Sequence, residues 1–132
     1  MGAVRDVVNY SLLRVNYRDR GQIKKLLRMW NTLEELGDKG DAVAICILTD
    51  LKMVTGIDLE LYSKETREEF NECYKKGVLS LPQFMAVTYT LVIGYTQEEL
   101  AWVMGVDQSV ISRNINSGLK QIQMGLRAFE EG

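Results

Sequence analysis

The spacing of apolar residues predicts a helical N-terminal region. Between Gln22 and Leu36 the apolar side chains fall on one stripe and the basic residues lie off it, which is typical of an amphipathic helix. The stripe consists of Ile23, Leu26, Leu27, Trp30, Leu33 and Leu36. Residues 5–18 show similar spacing at Val8, Leu12, Val15 and Tyr17. Gly21 is expected to break or bend this first segment, and residues 37–40 are expected to form a loop.

The most apolar stretch of the chain predicts a central helix. Asp41 suits the N-cap of a helix from Ala42 to Val54, which Gly56 would end. The run 43–48 also fits a buried strand. The chain offers no second strand to pair with it, and a lone strand leaves its backbone groups unsatisfied. The helix is therefore the preferred interpretation.

An acidic segment follows the central helix. Ser63 is positioned to cap a helix from Lys64 to Lys76, with Gly77 as its stop. The stretch from Asp58 to Glu72 is interpreted as a solvated helix face. A docking surface for a basic partner, such as RNA polymerase or the basic arm of another subunit, is the alternative. Its other acidic residues are Glu60, Glu65, Glu68 and Glu69.

Two capping boxes organise the last third of the chain. Ser80 and Gln83 have the spacing of a helix start, with Pro82 in the first turn, and Gly94 would end that helix. Thr96 and Glu99 repeat the spacing. Asp107 is the expected cap of a final helix that runs to about Phe129. The fold class predicted is therefore all-α, with an N-terminal helical region over 1–77 and a C-terminal domain over 78–132.

The two final helices have the features of a helix-turn-helix. Ala101 is small enough for a close helix crossing, Gly105 tolerates the left-handed turn, and Val106 is expected to plug the shared core. The inward stripe of the second helix is predicted to contain Val110, Ile111, Ile115, Leu119 and Ile122. Its opposite face then presents polar side chains, namely Gln108, Ser109, Ser112, Arg113 and Asn116. A plain helical hairpin within a bundle is the alternative.

These polar side chains fit recognition of duplex DNA in the major groove. Arg binds guanine through two hydrogen bonds, and Gln or Asn does the same with adenine. Thr96, Gln97 and the start of the first helix are placed to meet a backbone phosphate. Lys120 is a further phosphate-binding candidate.

Composition narrows the functional classes. The 132 residues contain 46% hydrophobic residues, a single proline, two cysteines and no histidine. Without histidine the commonest general base and a Cys/His zinc site are missing, so an enzyme, a metal and a cofactor are not expected. Cys46 and Cys73 are expected to be small buried hydrophobes. Trp30 and Trp102 are expected to pack in the core or at its rim, and a role at an interface is the alternative. Without a membrane span or a signal-like apolar run, a soluble cytoplasmic protein is expected.

Charge is distributed unevenly. Residues 1–28 carry seven basic and two acidic residues, residues 29–72 carry four and eleven, and residues 73–132 carry five of each. The basic arm is either a solvated helix face or a source of phosphate contacts. Its candidates for such contacts are Arg14, Arg18, Arg20, Lys24, Lys25 and Arg28.

Residues 79–122 resemble region 4 of sigma-70-type initiation factors, and especially small phage-encoded sigma-like regulators. The resemblance rests on Leu81-Pro82-Gln83, on residues 96–101, on Met104-Gly105-Val106, and on residues 108–113 with Asn116. It implies a sequence-specific transcription regulator that reads the major groove with the helix starting near Asp107. The family's recognition helix is usually more basic, and Asp107 stands where a neutral Ser is common.

Few basic residues in this region predict weak binding by one motif alone. A homodimer or higher homo-oligomer is therefore expected, with double-stranded DNA and RNA polymerase as partners. Two alternatives stay open. One is a protein-interaction module, either anti-sigma-like or polymerase-binding, and the other is a DNA-packaging or recombination accessory with the same motif.

Overall fold

A computed structural model describes Tyr17 and residues 19–131. These residues form seven α-helices and contain no strand, so the all-α prediction is confirmed. The helices are α1 (Arg20–Arg28), α2 (Trp30–Asp38), α3 (Ala42–Thr55), α4 (Arg67–Glu72), α5 (Leu81–Val87), α6 (Gln97–Met104) and α7 (Gln108–Glu131). Short 3-10 turns span Leu59–Leu61 and Cys73–Lys76, and a π-helical turn, Thr88–Ile93, continues α5. The predicted apolar positions Val8, Leu12 and Val15 lie outside the described residues.

The 24-residue helix α7 is the element on which α1, α3, α5 and α6 all pack. Its inward stripe is almost completely buried and consists of Ile111, Ile115, Leu119, Ile122 and Leu126. Two glycines on this helix permit close approach. A Cβ on Gly118 would lie 2.8 Å from Val87 Cγ2, and a Cβ on Gly125 would lie 2.8 Å from Val54 Cγ1.

The buried side chains form one continuous cluster that includes residues from both sides of position 77. Tyr17, Trp30 and Ile47 from the N-terminal part belong to the same cluster as Phe84 and Ile111 from the C-terminal part. The N-terminal helices therefore support the C-terminal ones directly.

The prediction of one continuous N-terminal helix is wrong. The expected helix from Gln22 to Leu36 is two helices, α1 and α2, separated at Met29, whose φ of −91° and ψ of 10° are not helical. The break allows Trp30 to be completely buried, and its indole N–H donates to Glu34 at 2.9 Å. Gly21 lies inside the first turn of α1 because Asp19 caps that helix by accepting from the Gly21 N–H. At the other end, α2 continues through Gly37, so the loop is shorter than predicted.

The central helix prediction is confirmed. Asp41 accepts a hydrogen bond from the Ala44 N–H at 3.1 Å, and Gly56 ends α3 in the left-handed conformation, with φ of 80°. Cys73 is buried as expected, but Cys46 is exposed. The reason is that α3 buries Ala44, Ile47 and Leu48, whereas Cys46 lies on its outward side.

The predicted helix from Lys64 to Lys76 is confirmed over Arg67–Glu72, but its last turn, Cys73–Lys76, is a 3-10 helix and its start is wrong. Ser63 accepts from the Thr66 N–H at 3.2 Å and so closes a turn, and α4 begins only at Arg67. Gly77 is extended rather than left-handed, with φ of −115° and ψ of −164°. A Cβ there would lie 2.3 Å from the Val54 carbonyl oxygen, so this glycine serves close packing against α3.

Because α7 packs closely against its neighbours, adding one methyl group at Gly118 should destabilise the fold. Gly118→Ala gains about 1 kcal/mol in helix propensity, but overpacking against buried Val87 costs about 1–3 kcal/mol. We expect a net loss of about 1 kcal/mol in the free energy of unfolding, measured by urea denaturation. Gly37→Ala is the matched control, because its Cβ would meet Ile45 Cγ1 at 3.3 Å and Ile45 is 47% exposed and able to move. Equal effects of the two substitutions would contradict the assigned packing role.

Candidate nucleic-acid interface

The start of α6 is held by a reciprocal capping box. The Thr96 hydroxyl accepts from the Glu99 N–H at 3.0 Å, and the Glu99 carboxylate accepts from the Thr96 N–H at 3.1 Å. The Thr96 backbone N–H, and to a smaller extent the Thr96 side chain, hold the pKa of the Glu99 carboxyl below its ordinary value. Because the Thr96 N–H is already bound, the groups left at this end for an incoming phosphate are the Gln97 side chain and the next backbone N–H groups.

A tight glycine turn joins α6 to α7. Gly105 is left-handed, with φ of 68° and ψ of 35°, and the Val106 N–H donates to the Ala101 carbonyl at 3.0 Å. Ala101 is buried, as expected of a small residue at the crossing. Val106 is 36% exposed, so the prediction that it plugs the core is wrong. Met104, which is partly buried against the core cluster, packs there instead.

Asp107 precedes the first residue of α7, as predicted, but its side chain does not act as the expected cap. The Val110 N–H donates to the Asp107 backbone carbonyl at 3.0 Å, and the carboxylate makes no hydrogen bond with any described residue. It is exposed and lies at the N-terminal end of α7, where its negative charge favours the helix but opposes a phosphate.

The predicted polar face of α7 points away from the core. Ser109, Arg113, Asn116 and Lys120 are exposed and recur at helical spacing, so they form one stripe about 16 Å long. Gln108 is exposed beside this stripe and Ser112 is half-buried. On the opposite side of α7, Val110 is only half-buried, in contrast to the other apolar residues predicted there.

The polar side chains on and beside this stripe have no bonding partner among the described residues. Gln108, Ser109, Ser112, Arg113, Asn116 and Lys120 make no side-chain hydrogen bond or ion pair with any described residue. Their donors and acceptors are therefore available to a ligand on this face.

Arg20 extends the stripe from a distant part of the sequence. Its Nε donates to Gln123 Oε1 at 3.0 Å, and Gln123 Nε2 donates to the Tyr17 carbonyl at 3.3 Å. Because Gln123 lies one turn beyond Lys120, the Arg20 side chain lies beside the same surface of α7. The basic arm is thus connected to the stripe through this one arginine, whereas Arg14 and Arg18 lie outside the described residues.

The outer side of α6 is acidic, whereas the stripe on α7 carries basic residues. Glu98, Glu99 and Asp107 are exposed, and no Lys or Arg occurs between positions 94 and 112. Trp102 is 85% exposed, so the expectation of core or rim packing holds only for Trp30. The exposed glutamates of the acidic segment, such as Glu68 and Glu69, form a solvated surface, as predicted.

A cleft of about 410 Å³ lies between α4 and α6. Two of its lining residues form hydrogen bonds through their phenol groups: Tyr89 donates to Asn71 at 3.0 Å, and Tyr95 pairs with the Tyr62 hydroxyl at 3.2 Å. Burial raises the pKa of Tyr89, and burial together with the Tyr95 hydrogen bond raises the pKa of Tyr62 to about 12. The phenols of Tyr62 and Tyr89 are therefore neutral hydrogen-bonding groups at physiological pH.

Within the described residues, no three His, Cys, Asp or Glu side chains converge to hold a metal ion. No single described helix is long and apolar enough to cross a membrane. The stretches Arg67–Lys76 and Leu81–Ile93, bent by 113°, reach that length and composition only as a pair. Comparison with known protein families, curated proteins and solved structures found no match for this chain.

The capping box predicts a measurable response at Thr96. Thr96→Ala removes the hydroxyl that accepts from Glu99 and should cost about 1 kcal/mol in the free energy of unfolding, whereas Thr96→Ser keeps the hydroxyl and should cost much less. In an NMR titration, the pKa of Glu99 should be depressed in the wild type and should rise in Thr96→Ala.

The sign of the pH effect follows from that depressed pKa. The stabilisation from Glu99 is complete at neutral pH and is lost as pH falls through the folded-state pKa. A Glu99 carboxyl that titrates as in an unstructured peptide would show that the box does not persist in solution.

Proposed function

We propose that α6, the Gly105 turn and α7 form a sigma-region-4-like helix-turn-helix that binds duplex DNA, and that the protein is a cytoplasmic, phage-type transcription regulator. The observation that carries the proposal is the exposed, unpaired polar stripe on a helix whose opposite face is buried. A buried stripe fixes the helix, so its polar groups are presented in a constant orientation. That is the requirement for reading base edges in the major groove.

Individual residues of the stripe have distinct roles in this proposal. Arg113 pairs with guanine, and Asn116 or Gln108 pairs with adenine. Ser109 and Ser112 contact bases or sugars near the start of α7. Lys120 and Arg20 bind phosphates, which position the protein without reading sequence.

The small number of phosphate contacts available in each chain favours binding by more than one subunit. Each chain offers Lys120 and Arg20 for phosphates on or beside the stripe, while well-anchored binders make roughly 6–10 phosphate contacts. Asp107 and Glu98 add local repulsion. A homo-oligomer that presents two or more motifs meets this requirement.

A second candidate function is a polymerase-binding or anti-sigma-like interaction module. The exposed Trp102 beside Glu98 and Asp107 favours it, since exposed aromatic residues are common at the centres of protein interfaces. Recovery of RNA polymerase without any DNA binding at low salt would select this candidate. A DNA-packaging accessory would instead bind DNA in a large assembly.

Arg113→Ala tests base recognition. With a site selected from a random duplex library, we expect affinity to fall roughly 5- to 150-fold, which corresponds to about 1–3 kcal/mol for one bidentate base contact. Selectivity at one base pair should relax at the same time. Lys39→Ala removes the same charge in the exposed loop after α2 and should leave affinity unchanged. Equal affinity of Arg113→Ala and wild type would remove Arg113 from the reading face.

Lys120→Ala and Arg20→Ala test the phosphate contacts. Each substitution should lower the magnitude of the slope of log affinity against log salt by about 1 and should weaken all sequences equally. Arg20→Lys, which keeps the charge, should retain most of the slope. A slope unchanged in Arg20→Ala would place the basic arm away from DNA.

A further inference from the structure

The first helix of the proposed motif carries an apolar projection with an acidic border. Trp102 is 85% exposed and Val103 is 71% exposed, although both belong to residue types that are usually buried. Glu98 and Glu99 lie one turn before them on the same helix faces. No cation occurs between positions 94 and 112, and Arg67, which lines the adjoining cleft with Glu99 and Val103, balances only one of these two glutamates, so the border keeps a net negative charge.

A groove of about 440 Å³ lies on a different part of the molecule, between α1, α2 and α3. Its floor is apolar and includes Leu26, Leu33, Val43, Ala44 and Ile47. Met29 and Leu36 line it and are 37% and 38% exposed, so apolar surface is open to solvent at its mouth. A volume of this size lies within the range of ~300–1,000 Å³ that ligand clefts occupy.

The α1 wall of the groove is basic. Lys25 lines the groove and is exposed, and the exposed Arg28 lies one turn further along α1. Asp41 also lines the groove, but its carboxylate accepts from the Ala44 N–H at 3.1 Å. The acidic residues Glu34 and Asp38 of α2 line a separate depression with Leu48 and Thr49, on the other side of α2.

The two surfaces are both apolar at their centres and are bordered by opposite charges. One presents an aromatic projection with glutamates, and the other presents an apolar groove with Lys25 and Arg28. We propose that Trp102 of one copy of this chain inserts into the groove between α1, α2 and α3 of a second copy. The indole fills the apolar floor, and Glu98 or Glu99 faces the basic wall.

The charge pattern also determines how the copies are related. A symmetric contact of two α6 helices would oppose Glu98 and Glu99 to the same residues of the other copy, and Arg67, which lines the cleft with Glu99 and Val103, offsets only part of that negative charge. The contact therefore joins different surfaces of the two copies. Two copies either exchange this contact reciprocally in a closed two-fold dimer, or each leaves one projection and one groove free, so that assembly continues until a ring closes or a filament forms.

This assembly is independent of the proposed DNA binding. Neither Trp102 nor the groove residues belong to the stripe from Ser109 to Lys120. The association is therefore measured without DNA, and its failure would not bear on Arg113.

Analytical ultracentrifugation of the purified full chain tests the contact. We expect the wild type to form dimers or larger species as its concentration rises, and Trp102→Ala and Met29→Glu to remain monomeric. Met53→Glu is the matched control for the second substitution, because Met53 is 59% exposed on α3 but lines a different depression. It should assemble like the wild type.

Mixing the two monomeric variants gives the decisive outcome. Trp102→Ala retains its groove and Met29→Glu retains its Trp102, so together they should form a complex of one chain of each and stop there. Leu36→Glu replaces Met29→Glu if that variant does not fold, as judged by circular dichroism. A wild type that is monomeric at every concentration, or a mixture that does not associate, would overturn the proposal.

Discussion

The burial of one face of α7 is the constraint on which the rest of the structure depends. Four other helices pack on this helix, and Gly118 and Gly125 allow two of them to come close. Once Ile111, Ile115 and Leu119 are fixed inside, helical geometry directs Ser109, Arg113 and Asn116 outward. The same packing that stabilises the core therefore sets the orientation of the candidate site.

Local signals in the sequence predicted several helix ends, although the caps expected at Ser63 and Asp107 did not form. A capping box joins residues three positions apart, and a left-handed glycine needs no distant partner, so Ser80, Thr96 and Gly105 could be identified without a structure. The features that were missed depend on tertiary contacts. The break at Met29 is coupled to the burial of Trp30, and the extended Gly77 follows from its closeness to the Val54 carbonyl. Neither contact can be recognised from the residues that are neighbours in the sequence.

In the candidate site, too, some features follow from the local sequence and others depend on tertiary contacts. Periodicity alone assigned the outward direction of Arg113 and Asn116, because both lie on the face opposite a strongly apolar stripe. Arg20 could not be added in this way, since its partner Gln123 is 103 residues away. Trp102 shows the converse difficulty: residue type argues for burial, but a short helix such as α6 buries only Leu100 and Ala101 and leaves the next two positions in solvent.

The separation of acidic and basic surfaces connects assembly with DNA binding. In the proposed contact, the acidic α6 of one chain meets the basic α1 of another, so the charge that would weaken DNA binding by one motif favours the joining of several. In such an assembly, binding of one stripe would hold the next one near the DNA at a high effective concentration. Several weak contacts with DNA would then combine into tighter binding where the geometry allows them at the same time. If both proposals hold, Glu98 opposes phosphate binding by a single chain while it contributes to the contact that brings a second stripe to the DNA.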